Sequence, residues 1–105
     1  VDIAQIKKLV VEGEYELSKH ADKERRVDMI SILEIEEAVK GGKIIEDYPD
    51  DPRGSSCLVL GWAKKRPVHI VCGILEEPRV CRIITVYDPS KKPQKWTENY
   101  EERRR

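Results

Sequence analysis

Residues 68–89, VHIVCGILEEPRVCRIITVYDP, constrain this chain more than any other stretch. Two runs rich in β-branched residues, Val68–Leu75 and Val80–Tyr87, flank Glu76-Glu77-Pro78, so the stretch is predicted to be a β-hairpin with a short loop. Both runs are apolar on both alternating faces, the pattern of strands that have neighbours and are covered on at least one side. The hairpin is therefore expected at the centre of a sheet, and its polar members His69, Arg82, Thr85 and Tyr87 need an explanation. Alternation puts His69 on one face with Val71 and Gly73, and Thr85 on one face with Tyr87; whether those two faces coincide depends on the register.

The length of 105 residues suits one domain with a single core. Charged residues make up 38% and apolar ones 39%, a globular balance. Basic and acidic residues number 20 each. A chain that grips nucleic acid with its whole surface carries a basic excess, so any cationic surface here must be local. No run approaches the roughly 18 apolar residues of a membrane helix, and no leader pattern opens the chain, so the expected compartment is the cytoplasm. Cys57, Cys72 and Cys81 lie in strand-like runs without a CxxC spacing, the pattern of buried free thiols, although Cys72 and Cys81 could face each other across the hairpin.

Ahead of the hairpin, Asp2 caps a predicted helix whose apolar residues Ile3, Ile6, Leu9 and Val10 recur at helical spacing before Gly13. Tyr15 and Leu17 alternate with polar residues as a short strand. Ser18 caps a second, almost wholly polar helix through Val27, which Ala21, Val27 and the stem of Arg25 must anchor. Ser31 and Glu34 form a capping box for a third helix with the stripe Ile32, Leu33, Ile35, Ala38 and Val39. Strands follow from Ile44 to before Pro49 and from Cys57 to Trp62, separated by a turn-rich loop and closed by the basic turn Lys64-Lys65-Arg66. The sum is an α+β fold: an antiparallel sheet of about four to five strands with two to three helices on one face, the other face, or its edge, left for function. Residues 1–13 are its N-terminal helix, 14–89 its core, and 90–105 a basic C-terminal segment that reads as a loosely docked helix or a tail.

Only His20 and His69 supply an imidazole. Glu24 and Asp28 follow His20 at i+4 and i+8, a helix face that would bind a metal, tune a proton or simply be solvated. A small metal-dependent enzyme using His20, Glu24 and His69 is one reading of that set. His69 lies in mid-strand, where an imidazole must find hydrogen-bond partners or face a cleft. Arg82 suits a phosphate, through its forked donors, or an ion pair with Glu46 or Asp47. Basic residues cluster at Lys23, Arg25 and Arg26, at Lys64-Lys65-Arg66, and at Lys91, Lys92 and Lys95 with Arg103, Arg104 and Arg105. With Trp96 and Tyr87 they would grip phosphates and stack bases if the fold gathered them. There is no Gly-rich phosphate loop, nucleophile elbow or HExxH motif.

The succession His20-Ala21, Glu24-Arg25, Asp28-x-Ile30, Glu46-Asp47-Tyr48-Pro49, Cys57-Leu58-Val59-Leu60-Gly61, Pro67-Val68-His69-Ile70-Val71-Cys72-Gly73 and Ile84-Thr85-Val86-Tyr87-x-Pro89, ending at Trp96, resembles a widespread family of small prokaryotic proteins of unknown function. Members look like the toxin half of gene pairs whose partner is a YgiT/MqsA-type zinc-finger antitoxin, and their order of elements is similar to that of the RelE, BrnT and MqsR toxins. The resemblance implies a type II toxin that cleaves mRNA, free or on the ribosome, with no metal or other cofactor, and a cognate antitoxin as partner. It implies His20, Arg25, His69, Thr85 and Tyr87 as catalytic candidates. Arg82, Lys91, Lys92 and Trp96 are the candidates for RNA phosphates and bases. Such chemistry needs a group that activates the ribose 2′-OH, a cation on the scissile phosphate and a proton donor for the 5′-oxygen. RelE-type toxins are strongly basic whereas this chain is neutral and its polar helix carries acids, which keeps a non-catalytic protein-binding module as the alternative.

Overall fold

Side-chain caps decide where the helices begin. In the computed structural model, which describes residues 1–105, Asp2 accepts from the Ala4 N–H at 2.9 Å and opens α1 (Ile3–Val11). Ser18 accepts from the Ala21 N–H at 3.0 Å and opens α2 (Lys19–Val27). Ser31 and Glu34 close a reciprocal capping box on α3 (Ile32–Lys40). Gly13, at φ 77, supplies the left-handed turn after α1. The strands are β1 (Tyr15–Leu17), β2 (Lys43–Tyr48), β3 (Ser56–Ala63), β4 (Arg66–Glu76) and β5 (Arg79–Tyr87), in the spatial order β1-β5-β4-β3-β2.

The fold class is the expected α+β one, and β2 to β5 form the antiparallel meander. The hairpin is β4 and β5, with β4 at the sheet centre. Its register sets His69 opposite Tyr87 and Val71 opposite Thr85, so the two faces left open by sequence do coincide. β1 departs from the expectation: it pairs parallel with β5, Tyr15 beside Cys81 and Leu17 beside Ile83, so the sheet is mixed. Its direction depends on α2 and α3 carrying the chain to the far edge before the meander returns, which a three-residue alternation does not record.

The helix-covered face holds one apolar cluster, in which Ile6, Val10, Ile35 and Val39 meet Val59, Val68, Ile70, Ile83 and Val86. There α3 lies so close to β3 that a Cβ on Gly61 would sit 1.9 Å from the Ala38 carbonyl oxygen. The three thiols are buried and free; Cys72 is in register with Cys57 and Ile83, and its thiol meets those of both Cys57 and Cys81, the latter diagonally across the hairpin.

Polar bonds supplement the expected anchors of α2. Ala21 is buried in the core and the Arg25 side chain is only 16% exposed, whereas Val27 is 71% exposed and, on α3, Leu33 is 75% exposed. β1 pairs with β5 only as far as Ile83, leaving the backbone edge beyond it without a strand partner. Ser18 Oγ donates to the Ile84 carbonyl at 2.9 Å, the Val86 N–H donates to Glu24 Oε1 at 3.0 Å, and the Asp88 N–H donates to Asp28 Oδ2 at 2.9 Å. The helix thus stands where a sixth strand would, satisfying alternate edge groups with side chains. Arg66 fastens its C-terminal end, donating to the Asp28 and Met29 carbonyls and, at 2.8 Å, to Asp88 Oδ2.

The C-terminal segment is neither a tail nor a loosely docked helix. Two short 3-10 turns, Pro89–Lys91 and Pro93–Lys95, lead into a bridge between Trp96 and Arg103, forming a strap across the second face of the sheet. Arg103 donates to both Glu46 oxygens, at 2.9 and 3.1 Å, and lies 4.7 Å over the Trp96 ring; Glu101 pairs with Lys43. Of the face or edge expected to be left for function, the face is therefore closed in its middle, where Leu58, Leu60 and His69 are buried. No helix is long and apolar enough to cross a membrane.

Candidate functional site

A cavity of about 600 Å³ opens where α2, the end of β5 and the strap meet. α2 contributes His20, Lys23 and Glu24 from one helix face, β5 contributes Tyr87, and the turns and strap contribute Lys91, Lys92, Lys95 and Arg103. Its three acids are already engaged. Glu24 and Asp28 accept the β5 edge N–H groups, while Asp88 accepts from Arg66 and from both the Ser90 N–H and hydroxyl. Burial opposes the ionisation of Asp88, but the bonds from Ser90 and Arg66 prevail and hold its carboxyl below the usual range. Lys91 Nζ lies 3.5 Å from Asp28, whereas Lys23, Lys92 and Lys95 make no ion pair. The cations Lys23, Lys91, Lys92, Lys95 and Arg103 outnumber the acids Glu24, Asp28 and Asp88 in its lining, so a neutral chain has a local cationic excess here.

His20 stands at the rim with its side chain 65% exposed, and its Nε2 is 3.2 Å from Glu24 Oε1. The contact is a pairing of ring and carboxylate across one helical turn, and no protein group bonds Nδ1. Glu24 is held in place because the same oxygen receives the Val86 N–H. An exposed imidazole beside a fixed carboxylate is a candidate base for a hydroxyl.

His69 is built for the opposite task. It is 0% exposed, its Nε2 lies 2.9 Å from the Tyr100 carbonyl oxygen, and its Nδ1 lies 3.1 Å from the Tyr87 hydroxyl. The carbonyl accepts only, so Nε2 carries the proton and Nδ1 accepts from Tyr87. The Trp96 ring meets its edge, with centroids 4.3 Å apart. Burial lowers the imidazole to about 4, and burial also raises the Tyr87 phenol to about 12. His69 does not line the cavity and meets it through Tyr87 and Trp96.

The remaining sequence candidates disperse. Arg25 donates to Asp22 Oδ1 at 2.8 Å and to the Ile30 carbonyl at 3.3 Å, closing the C-terminal end of α2 outside the cavity. Thr85 lies opposite Val71 on the strap-side face and lines neither cavity described here. Arg82 pairs with Glu16 at 3.1 Å, not with Glu46 or Asp47, and lines a second cavity. Trp96 does line the cavity, but it is 2% exposed and packed between His69 and Arg103, which leaves little of its ring open. Lys91 and Lys92 do reach the cavity, together with Lys95 and Arg103, which sequence reasoning noted only as charge. No three His, Cys, Asp or Glu side chains are arranged to hold a metal ion, and both ring nitrogens of His69 are engaged away from His20 and Glu24.

A family described as "Domain of unknown function (DUF4258)" matches residues 17–88. That span takes in His20, Glu24, His69 and Tyr87 and ends before the lysines of the strap. No curated protein and no solved structure matches the chain.

Proposed function

We propose, on the premise that this chain belongs to the DUF4258 family, that it is a toxin-like endoribonuclease holding single-stranded RNA in the cavity between α2 and the strap. The observation that carries this reading is the gathering of Lys23, Lys91, Lys92, Lys95 and Arg103 around Tyr87, with every nearby carboxylate already bonded. Phosphates are drawn to such a site, and a base lies on the exposed side of the Tyr87 ring. His20 Nδ1 takes the proton of a ribose 2′-OH; the 2′-oxygen bonds to the adjacent phosphorus as the bond to the 5′-oxygen breaks. The leaving oxygen takes its proton from solvent water. The lysines offset the charge that develops on the phosphoryl oxygens.

The test is expression in a host with total RNA sampled before and after induction. Wild-type protein is expected to arrest growth and leave fragments ending in 2′,3′-cyclic phosphate, and His20→Ala to do neither while staying folded. Intact RNA alongside folded wild-type protein overturns cleavage, and failure of the purified protein to bind a single-stranded RNA oligonucleotide at low salt overturns the reading as a whole.

A protein-docking role has its own support. Val27, Met29 and Leu33, exposed by 71%, 80% and 75%, form a ridge along the connection from α2 to α3, and Val27 also lines the cavity. An antitoxin, the partner the resemblance implies, would cover ridge and cavity together. Rescue of growth by the neighbouring gene's product, lost in Val27→Ser/Leu33→Ser while RNA binding persists, is the expected result.

A further inference from the structure

His20 lines not one cavity but two. The second, of about 430 Å³, is walled by Ser18 and His20 from the start of α2, by Arg53 and Ser55 from the loop before β3, and by β4 and β5. No Asp or Glu is among its lining residues. Its two cations are Arg53 and Arg82. Arg53, with its side chain 64% exposed, donates Nε and Nη2 to Asp51; Arg82, 42% exposed, donates only Nη1 to Glu16. A guanidinium has five N–H donors, so each arginine keeps donors for a further oxygen. Ile74, Leu75 and Ile84 give the same cavity an apolar wall. Forked cations beside an apolar wall match a nucleotide, whose phosphate takes the fork and whose base takes the wall.

The two cavities lie along one strand. Arg82 and Ile84 line the second and Tyr87 the first, so about 16 Å of β5 separates Arg82 from Tyr87. His20 stands between. We propose that the cavities are two subsites of one groove, in which a single strand of RNA passes His20 with its phosphates held by Lys92 and Lys95 on one side and by Arg53 and Arg82 on the other. This rests on the RNA-binding reading above and adds to it a direction and a minimum length: the bound strand extends both ways from the ribose at His20, and a ligand that fills only the first cavity gains nothing from the arginines.

The experiment compares a dinucleotide with an eight-nucleotide single-stranded RNA on four proteins: wild type, Arg53→Gln/Arg82→Gln, Lys92→Gln/Lys95→Gln, and Lys8→Gln/Lys40→Gln. The last carries the same charge change on α1 and α3, behind the sheet. Arg53→Gln/Arg82→Gln is expected to weaken the longer RNA about tenfold, to leave the dinucleotide unchanged, and to flatten the salt dependence by about 1.4 in slope, the value for two lost phosphate contacts. Lys8→Gln/Lys40→Gln is expected to change neither ligand. Should Arg53→Gln disturb the loop through Asp51, Arg82→Gln alone is read, with half the change in slope. Wild-type affinity of the arginine variant for the longer RNA, with both lengths weakened in Lys92→Gln/Lys95→Gln, overturns the second subsite and leaves the first standing. Equal weakening by the Lys8→Gln/Lys40→Gln control reduces the arginines to general charge and overturns the groove. Absence of binding by wild type to either length overturns the RNA reading and the groove with it.

Discussion

His20 and His69 carry the same ring into opposite surroundings. His20 is exposed at the junction of two cavities, with one nitrogen 3.2 Å from a fixed carboxylate. His69 is buried, with both nitrogens bonded, one to the strap and one to β5. A buried imidazole whose donor and acceptor are both satisfied has nothing left to offer a substrate, and what it does offer is attachment. Tyr100 accepts its proton from the left-handed conformation, at φ 62, which residues other than glycine adopt only when neighbours hold them there. In the sequence both histidines are catalytic candidates. The mechanism proposed above gives the chemistry to His20 alone.

The sharpest division between the two histidines is expected in RNA cleavage. His20→Ala removes the proposed base and is expected to lower the rate about 10²- to 10⁴-fold, while its thermal unfolding stays within about 0.5 kcal/mol of wild type, as for a surface substitution. A His20→Ala protein that cleaves at the wild-type rate breaks the comparison at its functional end.

His69→Ala is expected to act on stability, costing about 3 kcal/mol through the lost packing and the two polar groups left without their partner. Urea unfolding measures that loss. Limited proteolysis within residues 89–105 separates a freed strap from a general loosening, because Trp96 loses the ring it packs against. If His69→Ala keeps wild-type stability and loses cleavage, the fastener reading is wrong.

Acid provides a third, somewhat smaller contrast. The unfolded chain binds a proton at His69 near the ordinary value of 6.5, whereas the folded chain does so only near 4 because burial disfavours the charge. Between those values the unfolded state holds the extra proton, so stability falls as pH is lowered from 6.5 toward 4, by about 2–3 kcal/mol in all, and is regained as pH rises. Below 4 this group contributes no further slope. Unfolding midpoints across that window are expected to flatten in His69→Ala.

Much of the fold was legible because it is written in local signals. The hairpin, all three helix caps and the capping box follow from residues a few positions apart. The strap was not legible: Trp96 and Tyr100 are isolated aromatics in a polar segment, and the imidazole and carbonyl that hold them meet across the fold. The polar helix misled for a related reason. Glu24 and Asp28 look like a solvated or metal-binding face, and only the free edge of β5 reveals them as partners of the Val86 and Asp88 N–H groups. The candidate site was legible as an inventory of His20, Tyr87 and the lysines. Its arrangement was not, because the hairpin register and the path of the strap decide which of those residues meet.

Glu24 gives the finest test, because it belongs to both architecture and site. In Glu24→Gln the amide oxygen still accepts the Val86 N–H, so the edge of β5 stays satisfied and stability changes by less than about 1 kcal/mol. What disappears is the negative charge beside His20 Nε2. A carboxylate stabilises the imidazolium formed when the ring takes a proton, and it does so in the transition state rather than in the bound ground state. The variant is therefore expected to lose about tenfold in kcat with KM unchanged, a part of the roughly 10²- to 10⁴-fold that a general base supplies. A purely structural Glu24 would instead leave kcat per folded molecule alone and lower the midpoint of unfolding. The two histidines would then differ only in exposure, and the orientation of His20 would be an ordinary pairing across one helical turn.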